Sequence, residues 1–264
     1  MNFFFKYIFI LSTLTGSLLA EEDGKALKVS TDAYNYDKGF SDFTSSSTMT
    51  LRNKQGEESV RYFRGKTLEV NDDGDKTLFI FDSPRDVKGT ATLTFTHKYD
   101  PDDTWLYLPA LKRVKRITSD NRSGSFVGSE FAYEDLGSQE LEKYKDRKYL
   151  KKESCPKKED LSCHVISRVP TEKSSGYKYQ VLWLDDTIAH RIWKIDYYDR
   201  KGSLLKTLFF GDYQLYNEKH WRPSTYKMIN HQTGKSTDLL VENINFKVGL
   251  SPKDFNKKTL SRAR

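Results

Sequence analysis

The runs that set large apolar side chains on consecutive positions constrain this chain most: Leu78-Phe79-Ile80-Phe81, Leu182-Trp183-Leu184 and Phe209-Phe210. Each lies within a run of strand length that is rich in strand formers. Successive strand side chains point to opposite faces, so these strands are apolar on both. An antiparallel sheet with one face in water needs only one apolar face. The other must be covered by a helix or line a cavity, and the pattern alone leaves both open.

The rest of the chain reads the same way. Ala91 to His97 alternates apolar and polar residues strictly, between the turns Asp82-Ser83-Pro84-Arg85 and Asp100-Pro101-Asp102-Asp103. Trp105-Leu106-Tyr107-Leu108 is a further run that Pro109 terminates. Upstream, Thr44 to Arg52 and Glu58 to Leu68 flank the turn Asn53-Lys54-Gln55-Gly56, and Asn71 to Asp75 forms the next turn. Downstream, strands are expected around Tyr177 to Trp183, Ile188 to Tyr198, Leu204 to Phe210, Trp221 to Ile229 and Thr237 to Phe246. Asp199-Arg200-Lys201-Gly202 and Gln232-Thr233-Gly234 are among the turns between them. Such a meander must curl or close as it grows. Two helices are expected: Glu21 to Tyr36, with a narrow apolar face, and a short one at Ser251-Pro252. Leu111, Val114 and Ile117, spaced by three among Lys112, Arg113, Lys115 and Arg116, predict a basic loop after Pro109.

Residues 1–20 have a secretory signal layout: Lys6 precedes the apolar run Tyr7 to Leu14, and small residues lead to a cleavage site expected after Ala20. Lys6 is the one charged residue in that segment, so its removal lowers the formal net charge of +7 by one. Residues 21–264 are read as one exported domain, because no linker, repeat or second long apolar run divides them. Cys155 and Cys163, the only cysteines, flank Pro156 and a charged run, and in an exported protein such a pair is expected to staple a hairpin loop.

Three phrases, SPRDVKGTATL, DDTWLYLPALKRVKRI and GSFVGSEFAYEDL, resemble the LolA-like outer-membrane lipoprotein-sorting proteins, and the later blocks YYDRKGSLLKTL and TGKSTDLLVENINFKVGLSPKDF follow in the expected order. The resemblance implies a mainly β fold, a curved antiparallel sheet forming an incompletely closed barrel, with a few helices packed on its concave face around an apolar pocket. It also implies a periplasmic carrier of lipid or lipoprotein acyl chains, in transient membrane contact, with an inner-membrane exporter or an outer-membrane acceptor as partner.

Within that reading the lipid-binding candidates are Phe79, Phe81, Leu93, Phe95, Trp105, Tyr107, Phe126, Trp183, Trp193, Phe209 and Phe210. Phe126 serves as an apolar plug in a lid or portal at Ser119 to Gly128, where Gly124 and Gly128 free the backbone. Lys112, Arg113, Lys115 and Arg116 are candidates for contact with head groups or a partner protein. Export argues against nucleic acid. His97, His164, His190, His220 and His231 show no metalloprotease spacing, and neither a nucleophile elbow nor a phosphate-cradling loop occurs. No enzyme, metal or cofactor is therefore expected. The alternatives are an accessory subunit of a resistance-nodulation-division exporter without lipid cargo, or a secreted hydrolase. An outer-membrane barrel would need an uninterrupted lipid-facing band, whereas Arg191, Lys194 and Asp196 charge both faces of one strand.

Overall fold

A computed structural model describes residues 12–262. Of the expected signal segment, residues 1–11 lie outside the described residues. The elements in chain order are a helix α1 (Ser12–Asp37), then β1 (Asp42–Arg52), β2 (Glu58–Leu68), β3 (Lys76–Ser83), β4 (Ala91–Phe95), β5 (Asp103–Leu108) and β6 (Arg113–Ile117). After a segment of short 3-10 turns come β7 (Tyr144–Cys155), β8 (Lys158–Pro170), β9 (Tyr177–Asp185), β10 (Ile192–Asp199), β11 (Leu204–Tyr216), β12 (His220–Asn230) and β13 (Ser236–Phe246). A four-residue helix α2 (Lys257–Leu260) closes the described chain.

All 13 strands lie in one sheet ordered β6-β5-β4-β3-β2-β1-β13-β12-β11-β10-β9-β8-β7. Every neighbouring pair is antiparallel, as short turns between successive strands require. The first and last strands meet in the middle, with Met49 opposite Leu239 and Leu51 opposite Thr237. The edges β6 and β7 are consecutive in sequence and do not pair, so the sheet is not closed.

The segment between these edges, residues 118–143, is anchored on both sides. The Arg122 guanidinium donates to Asp102 beside β5 and to Glu172 after β8, and all three side chains are withdrawn from solvent. Lys143 donates to Asp102 as well, and Lys206 of β11 donates to Asp135 at 2.7 Å. Buried charges stay in place only when so paired.

Both sheet faces are apolar, as the doubled runs require. One carries the larger cluster, with Phe63, Phe81, Ile166, Leu182, Leu184, Ile195, Leu208 and Met228, joined by Ala26 and Val29 of α1 and by Phe126, Phe131 and Tyr133 of the linking segment. The other carries Leu78, Ile80, Ala91 and Leu93, under Phe255 and Leu260 at the C-terminal end. A third cluster surrounds the disulfide, with Trp193 and, partly buried, Trp183 and Tyr213. Cys155 and Cys163 form the expected bridge.

Two expectations change. Among the described residues there are one long helix, α1, and the four-residue α2, where several helices were expected over one face. The basic run after Pro109 is a strand rather than a loop: β6 pairs along β5, with Arg116 opposite Trp105 and Val114 opposite Tyr107. Its three-residue apolar spacing misleads because backbone pairing at a sheet edge makes no demand on the solvent-facing side chains, and only Ile117 is buried. As expected, the disulfide staples a hairpin loop, at the turn end of the long strands β7 and β8. Register shifts between Lys145 and Lys148 and between Tyr149 and Lys151 break the two-residue period that would reveal β7 in the sequence. No helix among the described residues is long and apolar enough to cross a membrane.

Candidate functional site

On the face of the larger cluster the side chains do not fill the space. A half-open cavity of about 490 Å³ lies between the sheet, α1 and the stretch Leu136–Leu141. Its apolar wall includes Phe79 of β3, Leu182 and Leu184 of β9, Ile192 of β10, Phe210 of β11 and Tyr226 of β12, with Ala33 from α1. These residues share one side of the sheet because each pair in register points the same way, as Ile192 opposite Leu184 and Phe210 opposite Tyr226 do. The size falls within the roughly 300–1,000 Å³ usual for small-molecule sites.

The lining also carries charged side chains of both signs, and Gln139 and Leu141, which accept from two of its arginines, flank Glu140. The Tyr34 hydroxyl donates to Glu140 Oε2 at 2.6 Å, and Ser138 Oγ donates to Glu140 Oε1 at 2.8 Å. Burial, and then the neighbouring Glu140 carboxylate, push the Tyr34 hydroxyl well above the usual phenol range. Asp75 accepts from the Val70 N–H at 3.3 Å, and its pKa is raised to about 7, first by burial and then by the negative charge of Glu140. The arginines are Arg147, Arg168, Arg191 and Arg222. Arg191 pairs with Asp185 at 2.7 Å, and Arg222 pairs with Asp37. Arg147 and Arg168 pair with no carboxylate among the described residues. Arg147 donates to the backbone carbonyls of Tyr144 and Leu141, while Arg168 donates to Gln180 and Gln139 and stacks 3.5 Å from the Tyr144 ring centroid. Among the described residues no group of three or more His, Cys, Asp or Glu converges as metal ligands would.

The residues expected to bind lipid occupy four environments. Phe79 and Phe210 line the cavity. Phe81 and Phe126 are buried beside it, the Phe126 ring 6.0 Å from Phe79 and 5.6 Å from Phe81, so Phe126 does occupy the interior under the linking segment. Leu93, Phe95, Trp105 and Tyr107 lie on the opposite face with the C-terminal residues. Trp183 and Trp193 pack at the disulfide, and Phe209 points away from the cavity, its ring 4.6 Å from the Lys157 ammonium. Lys112, Arg113, Lys115 and Arg116 are exposed along the edge strand β6, where Arg116 pairs with Asp103.

Sequence reasoning missed these charged side chains. One signal was present: Arg168 shares the alternation phase of buried Ile166, and its partner Gln180 that of Leu182, so a charged residue stands where the strand pattern calls for an apolar one.

Comparison with known proteins agrees with this architecture. A family model described only as "-like: Uncharacterized protein" matches residues 73–262. The structure of an outer membrane lipoprotein-sorting protein domain from Vibrio parahaemolyticus is similar with a TM-score of 0.87 at 50% identity, over 91% of this chain and 100% of that one. A DUF1329 family protein from Desulfovibrio piger gives a TM-score of 0.84 at 26% identity, covering 90% of this chain and 99% of its own. A LolA superfamily protein from Nitrosomonas europaea shares the fold, with a TM-score of 0.69 at 18% identity over 88% of this chain and 98% of its own. No curated protein sequence matches the chain significantly. With half of the aligned residues identical to the Vibrio domain across that domain's full length, the chain belongs to the LolA-like family of outer-membrane lipoprotein-sorting proteins.

Proposed function

We propose that the mature chain, residues 21–264 after loss of a signal peptide, is a single-domain periplasmic carrier that holds acyl chains in the cavity on the α1 side of the sheet and delivers them toward the outer membrane. The observation that carries this reading is the cavity of about 490 Å³ walled by Phe79, Leu182, Leu184 and Phe210. The apolar part of that wall forfeits packing that a closed core of these residues would have, and a hydrocarbon guest restores it. Each methylene withdrawn from water contributes about 0.8 kcal/mol, so a chain of ordinary length gives a usable affinity without directional bonds. The relation to the Vibrio lipoprotein-sorting domain supports the same role, and no catalytic step is needed for it.

In this reading the concave side of the sheet is the α1 side, and residues 118–143 form the portal. The basic edge strand with Lys112, Arg113, Lys115 and Arg116 meets anionic head groups or the acceptor during transfer. Phe79 and Phe210 are the expected acyl contacts, and Phe126 closes the space from behind.

Native mass spectrometry of protein purified without detergent, followed by extraction of bound lipid, tests the proposal. The expected result is a bound mass that extraction identifies as an acyl lipid and that Phe210→Asp loses. A chain that carries no lipid, and takes up none from vesicles, would overturn it.

A further inference from the structure

We propose that Arg147 and Arg168 form an anion-binding pole at one end of the cavity, so that the cargo is an acyl lipid with a carboxylate or phosphate head group rather than an uncharged one. The inference rests on the carrier reading and adds the head-group class to it. It comes from a contrast among the four cavity arginines. Arg191 and Arg222 each have a carboxylate partner, and Arg147 and Arg168 have none among the described residues.

Both of the latter are withdrawn from water. Arg168 is 8% exposed, and Arg147 Nε is buried without a hydrogen-bond partner. Their hydrogen bonds run to neutral acceptors: Arg147 to the Tyr144 and Leu141 carbonyls, Arg168 to the Gln180 and Gln139 side-chain oxygens. Burial holds both guanidinium groups below their usual range, and at Arg147 the positive charge of Arg168 adds to the effect. The carboxylate whose charge acts on Arg147 is Glu142, which makes no ion pair with it. Glu140, which follows Gln139, turns its carboxylate to Tyr34 and Ser138 instead.

Two adjacent buried cations without an ion-pair partner are costly, and an anion between them reduces the cost. A guanidinium is also the side chain that grips planar carboxylates and phosphates through paired N–H donors. The wall beyond the pair is hydrocarbon: Leu182 and Leu184 continue the β9 face on which Gln180 holds Arg168. A head group at the arginines thus leaves its tail along Leu182, Leu184, Phe79 and Phe210. A lipid anchor without charge would leave the pair unsatisfied.

Fluorescence titration with three probes tests this: cis-parinaric acid, its methyl ester, and a parinaroyl phosphatidylglycerol, each at 0.05 and 0.5 M NaCl. The expected result is that wild type prefers one or both anionic probes over the ester by about tenfold or more. That preference should persist at high salt, because a buried pair is little screened. The better of the two anionic probes then identifies carboxylate or phosphate as the source. Arg147→Gln and Arg168→Gln should bring the anionic probes to within about twofold of the ester, and Arg168→Lys should restore part of the difference. Equal wild-type binding of ester and anionic probes would overturn the anion pole while leaving the carrier intact. So would a preference that salt abolishes, or one that both glutamine variants retain. Binding of none of the three would overturn both readings. If the glutamine variants fail to fold, the wild-type preference at high salt decides alone.

Discussion

Leu78 and Phe79 are neighbours on β3 and belong to different interiors: Leu78 packs beneath the C-terminal Phe255 and Leu260, while Phe79 faces the cavity and the Phe126 ring. The sheet thus separates a filled space from one with room to spare, and substitutions on its two faces should have different consequences.

Leu93 is fully buried on the filled side. Leu93→Ala should cost about 2–5 kcal/mol and lower the melting temperature by roughly 5–15 °C, with no change in the affinity for a fluorescent fatty acid. Thermal denaturation beside a binding titration checks both halves. A large loss of binding at unchanged stability would place Leu93 in the site instead.

Phe210 is half-buried on the cavity wall, its ring 5.4 Å from that of Tyr226. Phe210→Asp should reduce fatty-acid binding by more than tenfold, since it sets a charge against hydrocarbon, while the circular dichroism of the sheet is retained. Phe209→Asp on the adjacent position, which points away from the cavity, is the control and should leave binding unchanged.

Asp75 gives stability a defined pH dependence. Its pKa in the fold, about 7, lies above the ordinary carboxylate value of 3.8. Below the lower value both folded and unfolded chains hold the proton, and Asp75 contributes nothing. As pH rises through the interval the unfolded chain releases the proton first, so folding loses free energy until about pH 7 and is level beyond it. Asp75→Asn should therefore stabilise the protein at pH 8 by roughly 2 kcal/mol, after allowance for a partly exposed group, and have little effect at pH 4. Urea denaturation at the two pH values measures the difference. Equal effects at both would show that the carboxyl is not held protonated.

The bridge between Cys155 and Cys163 closes a short hairpin, with a sequence separation of 8. Replacing both by Ala should cost about 2.5 kcal/mol through the entropy of the unfolded chain. Because the bridge lies with Trp193 and Trp183 rather than on the cavity wall, fatty-acid affinity should not change. Denaturation midpoints with and without the bridge, paired with a binding titration, test this.

Phe126→Ala should act on kinetics. The ring is buried among Phe79, Phe81 and Tyr133 in the segment that spans the gap between β6 and β7. Its loss should cost about 3–5 kcal/mol and speed the release of a bound fluorescent fatty acid, read by stopped-flow transfer to vesicles. A release rate equal to wild type would remove this segment from the exit route.

Much of the sheet was legible because its strands alternate apolar and polar residues, as Ala91 to Phe95 does although both of its faces are covered, and because turns such as Asn53 to Gly56 use residues that turns require. The strand β7 was not legible, since its bulges offset the alternation and its outer face is lysine-rich. Which face of a doubly apolar strand meets the cavity depends on what covers the other side, and that is decided by Phe255 and Leu260, far along the chain from Leu78 and Leu93. The candidate list therefore mixed the two faces. Arg147 stands beside a left-handed Asp146, a backbone irregularity with no sequence signature, so its inward direction could not be read in advance.

The pairing of β1 with β13 joins residues 196 positions apart, as between Ser46 and Glu242. Each half of the molecule is a succession of local hairpins that can form as the chain emerges, while the junction must wait until the last strand is available. A polypeptide that crosses a membrane unfolded is thus kept from locking its architecture until almost all of it has arrived on the far side.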